Sequence, residues 1–211
     1  MNTIIEKVGK LLADRLTGFK FVKSKLQLIR DTDVGWLAII IDILPTSTDG
    51  IVKLAAHAHV RIDEIENYYA VHNPFLSPKD IKSHPTLVKN CDEIIVNKDL
   101  TNGFTDDEQS VGLFIDKYVD ALDSDVIPWL EYYSNEGNLL SGLISKDPQT
   151  RVTSDKLTIF PVGLTIYAKL GKWKEFDQFA KEFMTHCEKP YALVYKPLAH
   201  NTIQGLEDQL R

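Results

Sequence analysis

Cysteine is scarce in this chain: its only two, Cys91 and Cys187, stand far apart and in no CxxC context. That count excludes a disulfide-stapled scaffold and a thioredoxin-like redox motif, and both thiols are expected to be reduced. Long apolar runs are also missing. The most apolar stretch, Trp36 to Ile43, is short and broken by Asp42, far below the ~20 residues of a membrane-spanning helix. No GxSxG or GxxxxGK[ST] occurs, which removes the nucleophile elbow and the P-loop. No D-x-D-x-D-G loop occurs either, which removes the EF-hand. Basic excess is lacking as well: 24 Lys and Arg face 30 Asp and Glu, for a formal charge of −6. A whole-molecule field that gathers nucleic acid is therefore not expected.

What is present suits a folded domain. Apolar residues make up 44% of 211, enough for a continuous core and too many for wholesale disorder. The opening MNTIIEKVGKLLADRL is an amphipathic helix pattern, with Ile4, Ile5, Val8, Leu11, Leu12 and Leu16 at helical spacing. It lacks the basic head and purely apolar body of a secretory signal, so a cytoplasmic location is expected. Gly18 stands where a glycine ends a helix.

The period then changes. Residues 19 to 30 alternate, with Val22, Leu26 and Leu28 on one parity and Lys23, Lys25 and Gln27 on the other, which predicts a strand with one wet face. Residues 34 to 44 are apolar on both parities, as in a central strand. Residues 51 to 62 alternate again, with Val52, Leu54, Ala56, Ala58, Val60 and Ile62 opposite Lys53, His57, His59 and Arg61. Short turns at Asp31–Asp33 and Pro45–Gly50 predict an antiparallel meander.

Residues 63 to 72 read as a short helix ended by Asn73-Pro74. Residues 74 to 104, with Pro74, Pro78, Pro85 and Asn102-Gly103, read as a long excursion holding one short strand near Glu93 to Val96. Thr105 and Glu108 form a capping-box signature, and the stripe Val111, Phe114, Ile115, Tyr118, Val119, Leu122 follows it. Further helices are predicted over 125–133, 136–145, 155–170, 173–187 and 200–210. Pro128 and Pro161 fit first-turn positions, which suggests later starts for two of them. Tyr167-Ala-Lys-Leu-Gly171-Lys-Trp173 predicts a helical hairpin turning at glycine. The fold class is α+β: an N-terminal helix and an antiparallel sheet of three to four strands over 1–104, then a helical region over 105–211 packed on the sheet as one domain.

Three constellations carry chemistry. His57 and His59, two apart on a strand, project from one face and suit a zinc ion. Asp42 on the neighbouring strand, or Asp63 and Glu64 downstream, would supply a carboxylate. The ordinary alternative is two polar residues on a wet sheet face. Second, Lys23, Lys25, Lys53 and Arg61, with Trp36, Phe19 and Phe21 as flat apolar surface, resemble a platform for single-stranded nucleic acid; the ordinary alternative, which an acidic chain favours, is a solvated face or charges that meet an acidic helix of the second half. Third, Asp116, Asp120, Asp123 and Asp125 follow an acidic helix start at Asp106, Asp107 and Glu108. The first three are accounted for by the helix dipole, and the later ones present an acidic surface to a basic partner.

The helix closing in Leu16-Thr17-Gly18-Phe19-Lys20, followed by a charged strand and an apolar strand from Trp36 to Asp42, resembles uncharacterised bacterial cytosolic domains of the polymorphic-toxin immunity type. The likeness covers residues 1–62. It implies an α+β fold and a protein-binding role, and it carries no catalytic residue across. The leading expectation is a cytosolic protein-interaction module, an immunity-type inhibitor with another protein as partner and no membrane contact. A zinc-dependent enzyme built on His57 and His59 is the rival, and nucleic-acid binding through the sheet face is the third reading.

Overall fold

A computed structural model describes residues 2–46, 50–101, 104–105, 107–148 and 150–211. The turn expected at Asn102-Gly103, residues 47–49 and Asp106 lie outside the described residues, as do the side chains of Ile4 and Glu108. The fold is α+β: an antiparallel sheet with a helical C-terminal half. In chain order, helix α1 (Asn2–Arg15) precedes strands β1 (Lys20–Val22), β2 (Gln27–Thr32), β3 (Gly35–Pro45) and β4 (Ile51–Ile62). Helices α2 (Asp63–His72) and α3 (Pro78–Ile81), strand β5 (Leu87–Asn90), the helical turn α4 (Cys91–Ile94) and strand β6 (Phe104–Thr105) come next. The remainder is α5 (Glu108–Ala121), α6 (Ile127–Tyr133), α7 (Glu136–Ile144), α8 (Lys156–Lys169), α9 (Trp173–Cys187) and α10 (Lys196–Leu210).

The chain divides into two compact units, and neither is a contiguous half. Unit one holds residues 1–60 and 88–134; unit two holds 61–87 and 135–211. Residues 105–134, in the helical region of the sequence, belong to unit one, and residues 61–87, in the sheet region, belong to unit two. The sheet runs β1-β2-β3-β4-β5, with β6 also paired to β4.

In unit one, the single strand expected over 19–30 is two strands. A 3-10 turn at Lys23–Lys25 interrupts it, closed by Leu26 in the left-handed region at φ 50°. The chain folds back as a hairpin with Phe21 opposite Leu28. The alternation across residues 22–28 therefore belongs to no single strand, and Gln27 and Leu28 are both buried. Leu28 faces Ile39 and Arg30 faces Leu37 in the β2–β3 register. Helix α1 lies on β1, β2 and β3 and buries Val8, Leu12 and Leu16, each contributing about 1.5–3 kcal/mol.

The stripe of α5 is buried as predicted, but its cap is not the expected one. Asp107 is the N-cap and accepts from Ser110 N at 2.9 Å, while Ser110 Oγ accepts from Thr105 N at 3.1 Å. A π-helical turn at Leu122–Val126 joins α5 to α6. It stands just before Pro128, which cannot donate to a regular helical ladder, so the wider turn accommodates the missing N–H. The strand expected near Glu93–Val96 lies instead at Leu87–Asn90.

Unit two is helical around α8. Residues 159–168 of α8 are all buried, because α2, α7, α9 and α10 surround it. The expected late start is overturned. Asp155 caps α8 by accepting from Leu157 N at 3.1 Å, and Pro161 sits inside the helix. Burial on every side offsets a proline cost of about 3 kcal/mol. The α8–α9 turn is the predicted hairpin: Gly171 adopts φ 64°, Lys172 N donates to Tyr167 O at 2.9 Å, and Gly171 N to Ala168 O at 3.0 Å. Those two bonds satisfy the Tyr167 and Ala168 carbonyls in the last turn of α8. Helix α10 starts at Lys196 rather than residue 200, with Pro197 in its first turn. Among the described residues no helix is long and apolar enough to cross a membrane.

Candidate functional site

The predicted metal constellation does not assemble. Among the described residues no group of three or more His, Cys, Asp or Glu side chains converges on a point that would hold an ion. His57 is exposed and His59 half-buried on β4. Burial first, and His57 second, push the His59 imidazole down to about 4. Asp42 is exposed on β3, and its Oδ1 accepts from Ile43 N at 2.8 Å, so it is engaged by its own backbone. Zinc would need a third ligand that these strands do not bring.

The basic sheet face also dissolves. Lys23 and Lys25 sit in the 3-10 turn rather than on a strand, and Lys23 pairs with Glu6 at 2.9 Å. Lys53 pairs with Asp92 at 3.1 Å. Arg61, expected outside, is 6% exposed. Its Nε meets Asp63 at 2.5 Å, and Nη1 donates to Ile81 O at 2.8 Å and His84 O at 2.6 Å. All three bonds stay within the 61–87 segment of unit two. Phe19 and Phe21 are not a flat outer surface either: Arg30 covers the Phe19 ring at 4.9 Å, and Phe21 packs on α1 at Gly9. Trp36 stays half-buried on β3, opposite Asp31.

Unit two pairs a buried acid with a half-buried imidazole. Glu66 is 0% exposed, and its Oε2 meets His84 Nδ1 at 3.0 Å. Tyr69 lies edge-on to His84 at 5.8 Å, and burial, then Glu66, raise its phenol. Ile62 N donates to Thr86 Oγ1 at 2.9 Å beside them. Every arm of this cluster ends on the 81–86 segment or on α2, so it acts as a fastening for that segment.

A concave surface does form in unit one, beside α5. Two adjoining hollows of about 520 and 470 Å³ share Asn97, Leu100 and Lys117. The floor is apolar: Leu100 with Phe104 and Phe114, whose rings stack at 4.3 Å, and Tyr118 continues that stack at 5.3 Å. Val96 and Leu113 stand at its rim, 80% and 57% exposed. Asp99, Asp120 and Asp125 line the same groove. Asp125 shapes it, because Oδ2 accepts from Val96 N at 2.8 Å and fixes the loop that presents Val96. Asp116, counted with this acidic run, is instead paired with Arg15.

Asp120 and Asp125 belong to the acidic run legible in the sequence, whereas Asp99 lies outside it. The apolar rim was not legible, because Val96 lay inside a segment read as strand and Leu113 falls outside the buried stripe of α5. Charge is also unevenly divided. Unit one carries 17 acidic against 11 basic residues, and thus the whole net charge, whereas unit two carries 13 of each. Comparison with protein-family models, curated proteins and solved structures finds no match.

Proposed function

We propose that this chain is a protein-interaction module that docks a basic protein surface into the α5 groove of unit one. In its finer form this is an immunity-type inhibitor that covers a cationic enzyme face. The observation that carries the reading is the groove itself: exposed Val96 and Leu113 beside an apolar floor, with Asp99, Asp120 and Asp125 in the same lining. Apolar side chains at this exposure supply the desolvated anchor of an interface. The surrounding carboxylates, in the unit that holds all of the net charge, steer a cationic partner and penalise an acidic one. Lys117, the one cation of the lining, would meet an acceptor at the interface centre. On this reading the protein works in the cytosol, where isolated thiols stay reduced.

The test uses the full chain as bait in its native lysate at low salt, followed by calorimetry on the recovered partner. The expected partner is basic and binds more weakly as salt rises. Its affinity falls at least tenfold for Val96→Glu, about 1.4 kcal/mol, and for Asp120→Lys. A partner whose affinity neither substitution moves overturns the assignment, and so does recovery of no salt-sensitive partner.

A further inference from the structure

Unit two, net neutral as a whole, concentrates cations in one place. A groove of about 480 Å³ between α8 and α9 is lined by Lys156, Lys181, Lys189 and His186, with Phe160 as its floor. Elsewhere in this chain Arg15, Arg30, Lys53, Arg61, Lys169 and Arg211 each meet a carboxylate. Among the described residues Lys156, Lys181 and Lys189 meet none. Lys156 lies over the Phe160 ring at 5.5 Å instead. The one acidic residue of the lining, Glu182, accepts from Gln178 Nε2 at 3.2 Å. Asp155, at the mouth of α8, is engaged by Leu157 N and by Thr158 Oγ1 at 2.8 Å.

His186 registers the result. Burial lowers its pKa, the positive charges of Lys189 and Lys156 lower it further, and Asp155 opposes them only weakly. Its ring sits between Phe160 at 6.0 Å and exposed Tyr191 at 5.9 Å. Three ammonium groups around one hollow repel one another, and an anion of charge −2 or more relieves that repulsion while accepting from all three. A single carboxylate would compensate only one.

We infer that the α8–α9 groove binds a small phosphate-bearing metabolite rather than an acidic macromolecule, its phosphoryl oxygens held by Lys156, Lys181 and Lys189 and its organic part lying against Phe160 and His186. This site belongs to unit two and is independent of the docking groove in unit one.

The full chain is titrated with inorganic pyrophosphate at constant ionic strength and followed by amide and imidazole NMR. Saturable shifts confined to residues 156–160 and 178–191, with His186 taking up its proton at higher pH, are expected. Lys156→Glu combined with Lys189→Glu should weaken binding at least tenfold, and Lys189→Arg should keep most of it. Lys156 and Lys189 are exposed, so unchanged melting temperatures separate lost binding from lost fold. Shifts no larger than chloride produces at equal ionic strength overturn the inference. Tighter binding of a polyglutamate peptide or a single-stranded oligonucleotide than of pyrophosphate also overturns it, because it assigns the groove to an acidic macromolecule.

Discussion

His59 links unit one to pH. Its imidazole, pushed down to about 4 by burial and by His57, binds fewer protons folded than unfolded between pH 4 and the ordinary 6.5. Stability therefore rises with pH across that window: it is full above 6.5 and falls away as the pH drops through the folded value. The loss on going from pH 7 to pH 4.5 should approach 2–3 kcal/mol, read as a lower urea midpoint, and His59→Gln should flatten that slope while exposed His57→Gln leaves most of it. Both histidines were plain in the sequence, but the difference between them is a matter of what packs above each ring. Arg61 shows the same limit more sharply. Its parity put it with Lys53 on the wet side, yet two backbone carbonyls from residues 81 and 84 draw the guanidinium inside. No local pattern announces a bond made twenty residues away.

At the scale of elements, glycine separates packing from propensity. A Cβ at Gly163 in α8 would lie 2.6 Å from Phe179 Cε1, whose ring is held edge-on by Tyr167 at 5.5 Å and Phe160 at 5.1 Å. A Cβ at Gly112 in α5 would meet nothing within 4 Å. Both substitutions to alanine gain about 1 kcal/mol of helix propensity, but only Gly163→Ala overfills a packed site, at about 1–3 kcal/mol. Gly112→Ala should therefore raise the melting temperature and Gly163→Ala should lower it. Most helix limits were legible because capping and periodicity are local: α2, α9 and the Gly171 turn stand where predicted. The hairpin at Lys23–Lys25 was not legible, since its left-handed residue is Leu26, where a turn would ordinarily carry glycine or asparagine.

Across the whole molecule, the units interleave in sequence, so a cut at residue 104 does not release a domain. It would strip α5 from unit one, with Val111, Phe114, Ile115 and Tyr118. Those side chains represent about 6–12 kcal/mol of apolar burial, comparable to the ~5–15 kcal/mol that holds a domain folded. A fragment of residues 1–104 should show no cooperative melt by circular dichroism and poor amide dispersion by NMR. A native-like transition in that fragment would show that the sheet and α1 suffice alone. The charge asymmetry between units has the same origin: residues 1–104 hold 13 acidic and 13 basic residues, and it is the stretch 105–134, with eight acidic residues against Lys117, that brings the negative charge into unit one by folding with the sheet.

Composition and periodicity by themselves determined the α+β class, the order of most elements, the reduced thiols as an expectation and the acidic run along α5. Those features depend on neighbours within a turn or two, where side-chain spacing is set by backbone geometry. Tertiary structure alone decided which cations are free, where the apolar rim of the groove stands and which chain segments share a core. Each of these depends on groups distant in sequence meeting at a few ångströms, and burial and charge pairing take their sign from that meeting.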